Sequence, residues 1–111
     1  MSTHLPMPIM QGTLDLLVLS VLAPGAMHGY GIATAVHQRT DGELAIPDAA
    51  LYQALHRLER QDLVEAEWGP SDNNRRARYY TLTRAGRARL RVEAVNWRRY
   101  ARAVEAVLAG S

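Results

Sequence analysis

The chain has 111 residues, 48 % of them apolar, and a net charge of only +2, which excludes a disordered polyelectrolyte and leaves room for one domain with one modest core. It has no cysteine, so disulfides, thiolate metal sites and cysteine nucleophiles are excluded. Its longest apolar stretch, Leu14 to Ala23, is interrupted by Asp15 and Ser20 and falls well short of the roughly 20 residues of a membrane span.

The opening MSTHLPMPIM lacks the basic start and long apolar core of a signal peptide, so a cytoplasmic protein with no membrane association is expected. With two prolines and no periodicity, residues 1–10 read as a flexible arm. Thr13 can N-cap a first helix with Asp15 in its first turn. Leu14, Leu17, Val18, Val21 and Leu22 keep the spacing of one helix face. Leu16 and Leu19 lie off it, which predicts burial on more than one side. Pro24-Gly25 stops the helix.

His28-Gly29-Tyr30-Gly31 opens a second helix that buries Ile32, Ala35 and Val36 and ends near Arg39 at the Asp41-Gly42 turn. Pro47 biases Ile46 away from helix. Asp48 is a plausible N-cap for a third helix over about Ala49 to Gln61, with a buried stripe of Leu51, Ala54, Leu55 and Leu58. Tyr52, Gln53, His56, Arg57 and Arg60 lie mostly off that stripe. Asp62 ends it, since Asp tolerates a left-handed backbone better than most residues.

The period then changes. Val64, Ala66 and Trp68 alternate with Glu65 and Glu67, a half-buried strand with Trp68 on the buried side. Residues 69–74 are dense in turn formers, and Arg78-Tyr79-Tyr80-Thr81-Leu82 returns as the partner strand. Thr83 can cap a last helix from about Arg84 to Leu108. In it Leu90, Ala94, Trp97, Ala101, Val104 and Leu108 form a narrow seam of the kind helices use to pair with helices.

Three helices, a hairpin and a long helix make a mainly α fold with a small β-hairpin: a winged helix-turn-helix over residues 11–83, followed by a C-terminal dimerisation helix over 84–111. The charge supports this layout. Residues 1–50 and 51–74 each sum to −3, whereas residues 75–91 hold seven arginines and no acid. Arg75, Arg76 and Arg78 fall on the wing, where a helix-turn-helix meets the DNA backbone or minor groove. Every basic residue is Arg, which suits bidentate phosphate contact.

The expected DNA-binding set is therefore Tyr30, Tyr52, Gln53, His56, Arg57, Asn74, Arg75, Arg76 and Arg78. Gln53 is suited to reading adenine and Tyr52 to donating to phosphate. For Tyr52 the structural alternative is packing on a neighbouring helix; for Arg57 it is pairing with an acid such as Glu59 or Asp62. The seam predicts pairing with a second copy. There Trp97 is either an interface anchor, the simpler reading, or one wall of a site for a small aromatic effector. The histidines His4, His28, His37 and His56 show no metal-ligand spacing, and no cofactor is implied. No catalytic constellation stands out, so an enzyme is not expected.

Four stretches, QGTLDLLVLSVL, MHGYGIA, LYQALHRLE and NNRRARYYTLTRAG, resemble successive motifs of the PadR-like transcriptional regulators, over about Met10 to Trp97. Short members with a brief C-terminal helix and a wing like Trp68–Arg76 are especially similar. The resemblance implies a homodimeric DNA-binding regulator, usually a repressor, paired through its C-terminal helices and often responsive to a small ligand or to stress. The chain departs from the family pattern at Ala49 and Ala50, which remove a hydroxyl that could meet phosphate, at Gln53 in place of Pro, and at Asp62 in place of Gly. A winged-helix module that binds proteins instead of DNA is the alternative, which the acidic Glu65 and Glu67 beside the wing make conceivable.

Overall fold

The structure, a computed structural model, describes residues 5–10, 12–71 and 75–110. The described residues form four helices, α1 (Leu14–Leu22), α2 (Gly29–Arg39), α3 (Asp48–Arg60) and α4 (Arg84–Ala109), and three strands, β1 (Met27–His28), β2 (Val64–Pro70) and β3 (Arg76–Leu82). This is the mainly helical winged fold that the element order predicts. The short α1 lies at its centre, packed on α2, α3, α4 and β3. That is why Leu19, off the main apolar face, is as buried as Val18 and Leu22. α2 adds Ile32 and Val36, and α3 adds Leu51, Ala54, Leu55 and Leu58. Each fully buried Leu or Ile contributes about 1.5–3 kcal/mol, so this cluster holds the helices in place.

The helix ends differ in part from expectation. Thr13 makes no capping bond; its Oγ1 donates to the Met10 carbonyl at 2.7 Å. Asp48 is the first helical residue of α3, and the N-cap is Pro47, whose fixed extended geometry starts the helix without a side-chain bond. At the other end the backbone closes as expected. Leu63 N–H reaches the Leu58 carbonyl and Asp62 N–H the Glu59 carbonyl, with Asp62 at φ +58°; this is a Schellman turn with Asp in the left-handed position. Thr83 caps α4, its Oγ1 accepting from Gly86 N–H at 3.0 Å and donating to the Asp62 carbonyl at 2.6 Å.

β2 and β3 pair antiparallel from Val64↔Leu82 to Pro70↔Arg76. The sheet has a third strand that the sequence reading lacks. Met27 and His28 pair with Tyr80 and Tyr79, giving the order β1-β3-β2. Trp68 also differs from expectation. It shares a sheet face with Val64 and Ala66, but it sits beyond the core and is 57 % exposed. Nor is the N-terminal segment loose throughout: Met7 N–H donates to the Glu43 carbonyl at 2.7 Å, Met7 bridges Leu44, and Ile9 packs on the core.

The 26 residues of α4 extend about 39 Å at 1.5 Å per residue. The radius of gyration is 15.6 Å, against about 13 Å for a compact domain of this length, because the C-terminal half of α4 projects away from the core. Among the described residues no helix is long and apolar enough to cross a membrane.

Candidate nucleic-acid interface

Three elements meet on one side of the domain: the start of α2, the outer face of α3 and the wing formed by β2 and β3. β1 runs directly into α2, so His28 belongs to both elements. Its backbone pairs with Tyr79 in the sheet, and its Nδ1 accepts Gly31 N–H at 3.0 Å, capping the helix. The ring lies 6.4 Å from that of Tyr30, in a stacked arrangement, and 5.6 Å from that of Tyr79, edge on. Tyr30 is thereby held at the helix N-terminus yet is 76 % exposed. Backbone N–H groups and the helix dipole make such a terminus favourable for a phosphate.

From α3, Tyr52 is 51 % exposed and Gln53 and His56 are exposed. Tyr52 leans on the start of α2 so closely that a Cβ at Gly29 would come within 2.7 Å of its hydroxyl oxygen. Gly29 therefore determines where that hydroxyl points.

On the wing, Ser71 N–H and Oγ both donate to the Arg75 carbonyl, at 2.8 and 2.7 Å, and the Tyr79 hydroxyl donates to the Pro70 carbonyl at 2.6 Å. Arg75 and Arg76 are exposed, and the Arg76 guanidinium lies 5.3 Å from the centre of the Trp68 ring. Between wing and helices runs a cleft of about 660 Å³ whose lining includes Tyr30, Tyr52, Trp68, Arg75, Arg76 and Tyr80.

Two arginines of the expected set have internal partners. Arg78 is half-buried and donates to Glu59 Oε2 at 2.8 Å, with its guanidinium 5.9 Å from the Tyr80 ring centre. Arg57 donates to Asp15 on α1, so the acid it finds is neither Glu59 nor Asp62. Both pairs tie α3 to its neighbours, and both remove charge from the surface that could meet DNA. Burial pushes the Tyr80 hydroxyl above its ordinary pKa of 10.0, and nearby Arg78 works against that shift.

Residues 18–92 match the model of the transcriptional regulator PadR-like family. The chain belongs to that family. PadR-like proteins are transcriptional regulators, not enzymes. An uncharacterized protein, protein X, of Lysinibacillus sphaericus is 30 % identical over 89 residues, 80 % of this chain and 82 % of its own. A PadR-family regulator from Eggerthella lenta is 31 % identical with a TM-score of 0.74, over 88 % of this chain and 83 % of that one. The PadR of Bacillus subtilis, whose structure is in complex with operator DNA, shares the fold: TM-score 0.65, 20 % identity, 71 % of this chain and 45 % of that one.

On this PadR-like scaffold Tyr30, Tyr52, Arg75 and Arg76 share the cleft, and His56 stands one turn from Tyr52 along α3, with Gln53 beside it. Arg78 lines the same cleft but is paired with Glu59, and Arg57 stands apart, paired with Asp15. Asn74 lies outside the described residues. The seam residues Ala94, Trp97, Ala101, Val104 and Leu108 follow one another along the projecting part of α4, whereas Leu90 packs against the domain's own core. Two contributors were not singled out from sequence for this surface. Alternation puts Trp68 on the same side of its strand as Val64 and Ala66, and His28 begins a helix whose N-terminus can face a phosphate, but neither enters the DNA-binding set expected from sequence. The pairing of Met27-His28 with β3, which would have revealed His28, has no signal in two residues.

Proposed function

We propose that this PadR-like regulator is a homodimer that binds specific DNA sites and represses transcription, with α3 in the major groove and the wing on the adjacent backbone or minor groove. The observation that carries this reading is the cleft that joins the exposed Tyr30 and Tyr52 to Arg75 and Arg76. It presents hydroxyl donors, a helix N-terminus and two guanidinium groups on one surface, the chemistry that positions a protein on phosphates. Gln53 and His56 are the side chains on α3 free to reach base edges. The operator complex of the B. subtilis relative supports the same use of the fold. Exposed Trp97, Val104 and Leu108 on α4 support pairing with a second copy, with Trp97 as its anchor. Release from DNA by a small molecule completes the reading.

The test is a salt series. Replacing Arg75 and Arg76 together with Ala should weaken binding to all DNA sequences and reduce the slope of log K against log salt by about 2, roughly 0.9 for each lost phosphate contact. An unchanged slope would remove the wing from the interface. Gln53→Ala should instead alter the preferred sequence in a binding-site selection at nearly constant overall affinity. Absence of binding to random genomic DNA at low salt would favour a protein-interaction module.

A further inference from the structure

The cleft beside the wing contains more than a DNA backbone would use. Phosphodiesters take up rim hydroxyls and guanidinium groups, and duplex bases stay stacked on one another. The Trp68 ring, 57 % exposed on the cleft wall, enters that picture only as the support under the Arg76 guanidinium, and the Tyr80 ring lines the same cleft. A large aromatic left bare beside a concave, partly aromatic surface is a common mark of a ligand site. The cleft's volume of about 660 Å³ falls within the roughly 300–1,000 Å³ of small-molecule sites.

The charges narrow the class of ligand. Arg78 is held by Glu59. The Arg76 guanidinium carbon lies 5.3 Å from the Trp68 ring centre, and Arg75 lines the same cleft; among the described residues neither has an acidic partner. Two guanidinium groups beside an indole match a dianionic phosphate joined to a flat heterocycle: the phosphate takes charge-assisted hydrogen bonds and the base stacks on the ring. We propose that the cleft binds a free purine nucleotide, and that its occupancy keeps duplex DNA off the wing. The second part rests on the DNA-binding reading above.

The chain has two tryptophans, Trp68 and Trp97, so its indole N–H resonances number two and a Trp97→Phe variant assigns them. Full-length protein would be titrated in parallel with adenosine monophosphate, adenosine and inorganic phosphate. The expected result is a saturable shift of the Trp68 resonance with the nucleotide, and affinities at least tenfold weaker for adenosine and for phosphate, each of which lacks half of the contacts. Arg76→Gln, at an exposed position that the core does not need, should weaken nucleotide binding at least tenfold while the amide spectrum stays dispersed. No saturation, a shift confined to Trp97, equal response to inorganic phosphate, or an unchanged Arg76→Gln affinity would each overturn the site. Adding the nucleotide to a protein–DNA complex should release the DNA; a ternary complex would overturn the exclusion. Nucleotide binding without any DNA binding would sink the DNA reading and leave the site standing.

Discussion

The close approaches at Gly86 and Gly29 have opposite consequences. A Cβ at Gly86 would fall 2.0 Å from the backbone carbonyl oxygen of Leu63. That oxygen also accepts Thr83 N–H at 3.1 Å, so it cannot move without opening the joint between the wing base and α4. Gly86→Ala should therefore destabilise the fold by about 3 kcal/mol, the upper end of ordinary overpacking, seen as a lower urea midpoint. The atoms nearest a Cβ at Gly29 would be the Tyr52 ring and hydroxyl, at 2.7–2.9 Å, and a half-exposed side chain can swing aside. Gly29→Ala should change stability by less than about 1 kcal/mol yet weaken DNA binding severalfold, because it displaces the Tyr52 hydroxyl. If both variants lose stability equally, or Gly29→Ala leaves DNA affinity intact, Gly29 has no part in aiming that side chain.

Among the elements, α4 has the least to pack against. In the proposed dimer its seam would pack best in one direction. An antiparallel pairing centred on Arg99 would set Ala94 against the partner's Val104 and Trp97 against the partner's Ala101, small against large in each layer. It would also bring Arg91 within a turn of the partner's Glu105. A parallel pairing would stack two Trp97 rings in one layer and leave facing Ala residues in the next, which close packing disfavours. Because the chain has no cysteine of its own, disulfide mapping is clean. The double variant Ala94→Cys, Val104→Cys should cross-link into a covalent dimer under mild oxidation, and Val104→Cys alone should not; cross-linking of Val104→Cys alone would establish the parallel arrangement.

The helices and the wing hairpin were legible in sequence because periodicity, turn residues and Thr83 speak locally. The two-residue β1 was not, since its existence depends on β3 arriving beside it. Alternation correctly assigned the faces of β2, but it carries no information on where the core stops, and that is why Trp68 was misassigned. Likewise the arginine run was plain, whereas the acids that neutralise Arg57 and Arg78 come from other parts of the chain: Asp15 is 42 residues away and Glu59 is 19.

At the scale of the whole molecule, the core closes around a single buried phenol. The Tyr80 hydroxyl has its pKa raised by burial, so the folded protein keeps this proton to higher pH than the unfolded chain does. Below about pH 10 both states are protonated at this site and stability is unaffected; above it the unfolded chain releases its proton first, and stability falls as pH rises. Urea midpoints measured on either side of pH 10 should show this decline, and Tyr80→Phe should make it shallower. An equally steep decline in the variant would assign the alkaline sensitivity to other groups.

His28 belongs to two elements at once. The same residue closes the sheet against Tyr79 with its main chain and holds the first turn of α2 with its imidazole. The hairpin and the helix start are thus joined through one residue. A molecule that grips only the hairpin is therefore one link away from a helix it never touches.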